Sequence, residues 1–105
     1  MTNLQLNVPS ADLAATIICI FEEMNRAKAK HPQWPTDNVK RAAIVLEEAG
    51  EVIREANQLD EGKGSLTELR NELIQCAGTC LRMLDVLNED EAELNVRFGE
   101  YMGEH

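Results

Sequence analysis

The stretch DNVKRAAIVLEEAGEVIREANQLDEGKGSLTE, residues 37–68, decides the fold class. Residues 37–59 contain no proline and place Val39, Ala43, Leu46, Gly50 and Ile53 at helical spacing, with Ala42, Ala49 and Ala56 at the margins. Pro32 and Pro35 lie just upstream, where they forbid a continuing helix, and Thr36 is the expected N-cap. Downstream, Asp60-Glu61-Gly62-Lys63-Gly64 reads as a loop with two glycines. Ser65-Leu66-Thr67-Glu68 is a capping box that opens the next helix, the serine accepting from the backbone N–H of Glu68.

Working outward, that next helix carries Leu66, Leu69, Leu73, Cys76, Ala77, Cys80, Leu84 and Leu87 in register. Ile74, Leu81 and Met83 widen its apolar arc beyond what one partner covers, which predicts burial on two sides. Asn88-Glu89-Asp90-Glu91 repeats the capping pattern and predicts a last helix with Leu94, Phe98 and Tyr101. Toward the N-terminus, residues 1–9 read as a short arm, and Ser10 caps a helix bearing Leu13, Ile17, Ile20, Phe21 and Met24 that fades near Lys30. The expectation is a single all-α domain over residues 1–105, an antiparallel bundle of about four helices. Long helices in so short a chain make a slender bundle, so assembly into a homodimer or homotetramer is expected.

Composition supports this and excludes several functions. Aromatic residues are only 4%, which suits aliphatic helix packing, and no apolar run is long enough to span a membrane. The formal charge is -9, and it is uneven: residues 1–46 hold 4 acids and 5 bases, residues 47–105 hold 15 acids and 5 bases. Such a surface repels phosphate backbones, which argues against nucleic acid as a partner. There is no basic segment ahead of the first apolar stretch, and three cysteines cannot all pair within one chain, so a reducing, cytoplasmic setting is expected.

The acidity begins at a cluster. Glu47, Glu48 and Glu51 crowd one stretch of helix, where like charges at i,i+3 and i,i+4 oppose the helix by about 0.2–0.5 kcal/mol per pair. A divalent cation reverses that sign. In an antiparallel hairpin, residues at equal height have a constant index sum, and 51 with 72, like 48 with 75, gives 123. Glu48, Glu51, Glu72 and Gln75 therefore share a level, and an all-oxygen donor set suits Mg²⁺ or Mn²⁺ rather than zinc. Azimuth is the difficulty: Glu48 points nearly opposite the apolar stripe of its helix and needs another helix or subunit to enclose it. A solvated acidic face remains the competing reading. A ferritin-like di-iron site is excluded, since it needs Glu-x-x-His and neither His31 nor His105 follows a Glu by three.

Glu47-Glu48-Ala49-Gly50-Glu51 followed by Glu72-Leu73-Ile74-Gln75 resembles the EExxE…ExxD signature of the MazG-like all-α nucleoside triphosphate pyrophosphohydrolases, a likeness reaching from about Glu22 to Leu84. The resemblance implies Mg²⁺-dependent hydrolysis of a nucleoside or deoxynucleoside triphosphate to the monophosphate and pyrophosphate. Glu48, Glu51, Glu72 and Gln75 would then be the metal ligands, and Glu47 the residue that bridges a metal or takes the proton of the attacking water. Gln75 stands where the family usually has Asp; its amide oxygen can ligate a hard cation but adds no charge. The alternative class is a non-catalytic acidic helical oligomer, a degenerate relative or interaction module.

Four further residues are candidates for substrate contact. Trp34, in the Pro-flanked connection, either stacks on a nucleobase or plugs a gap between helices. Arg54 and Lys63 either meet phosphates or pair with nearby glutamates, and Arg97-Phe98 resembles an Arg-Phe pair near the end of family members. Cys19, Cys76 and Cys80 are assigned to the core as small hydrophobes.

Overall fold

The computed structural model describes residue 7 and residues 10–103, with side chains through residue 95. Apart from residue 7, the proposed arm at residues 1–9 falls outside the described set, as do the side chains of Arg97, Phe98 and Tyr101, and His105. Three helices run in the order α1 (Ala11–Lys30), α2 (Asn38–Asp60) and α3 (Leu66–Gly103), and the described residues form no strand.

The boundaries follow from local chemistry. Ser10 is extended and its hydroxyl accepts from the Leu13 N–H at 3.0 Å, starting α1. For α2 the cap is Asp37, not Thr36: the Asp37 carboxylate accepts from the Lys40 N–H at 3.3 Å. The helix closes in a Schellman arrangement, with Gly62 at φ 79°, its N–H donating to Leu59 O and the Lys63 N–H to Gln58 O. Gly62 is the residue the turn requires, because a Cβ disfavours that φ. Ser65 then caps α3 as expected, accepting from Glu68 N–H at 3.1 Å.

One correction concerns the fourth helix. No break occurs at residues 88–91, and α3 runs 38 residues, about 57 Å at 1.5 Å per residue. A capping pattern can start a helix but cannot stop one: the segment holds no Gly or Pro, and Asp90 accepts from buried Arg41 at 3.0 Å instead of capping.

Both α1 and α2 pack on α3 and not on each other, so α3 is covered from two sides as its wide apolar arc predicts. At Gly78 α1 and α3 approach closely: a Cβ there would lie 3.3 Å from Met24 N and from Glu23 Cγ. Lys28–Asp85 at 2.8 Å ties α1 to α3, and Arg41–Asp90 ties α2 to it.

Three rods in this arrangement enclose little. Met24 is the one buried hydrophobic side chain among the described residues, beside the buried arginines Arg41 and Arg82. The radius of gyration is 17.6 Å, against about 13 Å for a compact chain of this length. The apolar stripe of α2 faces outward: Val39, Leu46 and Ile53 are 80, 73 and 62% exposed. Cys19 is exposed, which corrects its assignment to the core, while Cys76 and Cys80 are half-buried on α3. No helix of the described residues is long and apolar enough to cross a membrane.

Candidate metal centre

The rotation of α2 decides what meets α3. Arg41, Glu48 and Glu55 are seven apart and lie along one line of the helix. Arg41 fixes that line inward: it is 5% exposed, donates from Nε to Pro35 O at 2.8 Å, and reaches Asn38 and Asp90 from Nη1, each at 3.0 Å. Glu48 and Glu55 follow it into the α2–α3 seam, where both are half-buried. Thus α3 lies against Glu48 within the same chain.

Carboxylate oxygens of Glu48, Glu51 and Glu72, one from each, lie within 4.8 Å of one another. Loop register explains the height of Glu72: the Schellman turn and Ser65 cap fold α3 back against α2, as the shared index sum anticipates. One oxygen each of Glu48, Glu55 and Glu72 is buried without a hydrogen-bond partner. Buried acceptors left unpaired are costly, and three on one seam call for a donor or a cation.

Electrostatics point the same way. Burial, then repulsion by Glu51, Glu72, Glu47 and Glu23, pushes the Glu48 carboxyl above the usual carboxylate range. Glu72 is also pushed up, first by burial, then by a side-chain hydrogen bond with Glu51 and by repulsion from Glu51 and Glu55, with Arg54 opposing. Crowding of carboxylates at this level favours anything that offsets their charge, a proton on Glu72 or a divalent cation alike. All-oxygen donors of this kind fit Mg²⁺ or Mn²⁺.

The other sequence candidates separate cleanly. Gln75 and Glu48 line one cavity of ≈ 360 Å³ with residues of α1. Glu47 is exposed and contributes no oxygen to the three-carboxylate group, although its charge acts on Glu48. Arg54 is exposed but close enough to Glu72 to oppose its protonation. Lys63 is exposed and pairs with Glu61 at 3.4 Å in the α2–α3 turn.

Trp34 serves the connection rather than the cluster. The Arg82 guanidinium sits 4.4 Å from its ring centroid, covering one face, and the same arginine donates to His31 O at 2.8 Å and Ala27 O at 3.5 Å. Arg82, 6% exposed, thereby closes the C-terminal end of α1. Burial lowers its pKa.

Sequence reasoning did not single out Glu55. The available signal was its spacing of seven from Glu48 and four from Glu51. It also missed Arg26 and Lys30 on α1, which line the cavity beside Gln75. No spacing within α1 could have tied them to α2 and α3. No protein-family model matches this chain, and neither a curated protein nor a solved structure matches it.

Proposed function

We propose that this chain is a MazG-like pyrophosphohydrolase, cleaving a nucleoside or deoxynucleoside triphosphate and water into the monophosphate and pyrophosphate. The observation that carries the reading is the meeting of Glu48, Glu51 and Glu72 within 4.8 Å, with orphaned buried oxygens on two of them. These three would hold Mg²⁺, with Gln75 as a neutral ligand. A bound Mg²⁺ supplies charge neutralisation for the polyphosphate and an acidified water. The chain's own part is to fix three carboxylates from two helices at one height and to exclude water from the inner oxygens of Glu48 and Glu72. Glu47, adjacent in sequence and solvated, is the proposed proton acceptor.

The test is pyrophosphate release from a panel of ribo- and deoxyribonucleoside triphosphates with Mg²⁺ or Mn²⁺, beside Glu51→Gln. Wild type releases pyrophosphate and the variant falls at least a hundredfold, the rough scale of losing a group that supports charge in the transition state. Glu47→Gln lowers turnover with Mg²⁺ binding intact; if Glu55→Gln alone does so, Glu55 is the acceptor. Silence across the panel sinks the enzymatic reading.

A second reading is favoured by the outer face of α2. Val39, Leu46 and Ile53 stand exposed in line, and with one buried hydrophobic side chain among the described residues there is apolar surface to spare. A homodimer or homotetramer formed through that line accommodates the enzyme, and it accommodates equally a non-catalytic helical oligomer with a weak cation site. Sedimentation decides the assembly, and the substrate panel separates the two functions.

A further inference from the structure

The cavity that reaches Glu48 and Gln75 has its opposite wall on α1. Glu23, Arg26 and Lys30 face Glu48, Gln75 and Thr79 across ≈ 360 Å³, a size in the range of small-molecule sites. Gly78 permits this wall, since its missing side chain lets α1 approach α3 at Glu23 and Met24.

The bases of α1 have different commitments. Lys28 is paired with Asp85 and Arg26 with Glu23. At the C-terminal end of α1 it is Arg82 that donates to Ala27 O and His31 O. Lys30 has no ion pair among the described residues. The lining is balanced as it stands, with Arg26 and Lys30 against Glu23 and Glu48. A divalent cation on Glu48 tips it positive, and only then does it attract an anion.

Resting on the reading above, we infer that this cavity seats the outer phosphates of the substrate's chain, with Lys30 and Arg26 as positioning residues and with anion binding dependent on the cation. A polyphosphate is the chemistry that fits, because it meets a divalent cation at one end and two flexible bases at the other.

The experiment uses inorganic pyrophosphate as probe, titrated calorimetrically into the wild type, Lys30→Gln and Glu23→Gln with and without Mg²⁺, beside the thermal shift that Mg²⁺ alone produces. Lys30 is exposed, so its replacement should leave folding intact. Wild type should bind pyrophosphate only with Mg²⁺, and Lys30→Gln should weaken it about tenfold. Glu23→Gln, which releases Arg26, should tighten it about threefold. A merely structural role for these side chains would not give opposite signs. If Mg²⁺ stabilises the protein but pyrophosphate does not bind, or binds both variants as it does wild type, the inference fails and the cation site stands. If Mg²⁺ gives no stabilisation, the cation site fails and takes the inference with it.

Discussion

Two lines of residues run along opposite sides of α2, each with a spacing of seven. Val39, Leu46 and Ile53 form one, and Arg41, Glu48 and Glu55 form the other, offset by two residues or about 160° around the helix. The apolar line is exposed and the polar line faces α3. Within the polar line there is a further contrast. Arg41 is buried with its donors matched to Pro35, Asn38 and Asp90, whereas Glu48 and Glu55 each keep an oxygen without a partner. A buried charge held by several partners is a structural joint, and a carboxylate oxygen buried without one leaves a place for a donor or a cation. The outward apolar line carries a parallel lesson: in water it has no reason to be continuous unless something covers it.

The sharpest way to break this contrast is at Arg41. Arg41→Ala orphans Pro35 O and removes the α2–α3 tie to Asp90, and should cost about 3 kcal/mol in urea unfolding. Glu48→Gln, on the same line, should cost nothing without metal, because it removes a repelled charge. Equal losses from the two substitutions would erase the distinction between joint and ligand site. Next in size is the outer line. If a second copy covers it, Leu46→Ala should weaken self-association by up to about 2 kcal/mol per buried leucine, read by sedimentation at several protein concentrations. If the face stays solvated, the same change should leave both assembly and stability within about 0.5 kcal/mol of wild type.

Much of the pattern was legible from periodicity. The helices, the Ser10 and Ser65 caps and the glycine turn rest on neighbours in sequence, and so does the height match of Glu51 with Glu72. What periodicity could not give was the rotation of α2. The usual inference turns the apolar stripe inward, but here Arg41 turns it outward through partners at positions 35 and 90, far apart in the chain. That single rotation moved Glu48 and Glu55 from solvent to the seam and left Glu47 outside. The supposed break at Asn88 failed for a related reason, since Asp90 is committed to Arg41 rather than to a cap. Trp34 was ambiguous until Arg82, 48 residues on, occupied one face of its ring.

The smallest expected effect tests the electrostatics of the inner line directly. The folded protein raises the Glu48 carboxyl above its ordinary value, chiefly through burial and then through Glu51 and Glu72. Between the ordinary and the raised value the folded state binds more protons than the unfolded one, so this group's contribution to stability falls as pH rises through that window. Acidifying the metal-free protein from neutrality toward the usual carboxylate range should therefore stabilise it through Glu48, with the benefit complete once pH passes below the unfolded value. Glu48→Gln removes that contribution, so the difference between wild-type and variant stability should shrink on mild acidification. Saturating Mg²⁺ should reverse the neutral-pH ordering, because the cation favours the ionised carboxylate that the variant lacks. A difference that is flat with pH, measured by urea unfolding at closely spaced values, would mean that the seam is wetter than its geometry indicates and that burial does not act on the Glu48 carboxyl.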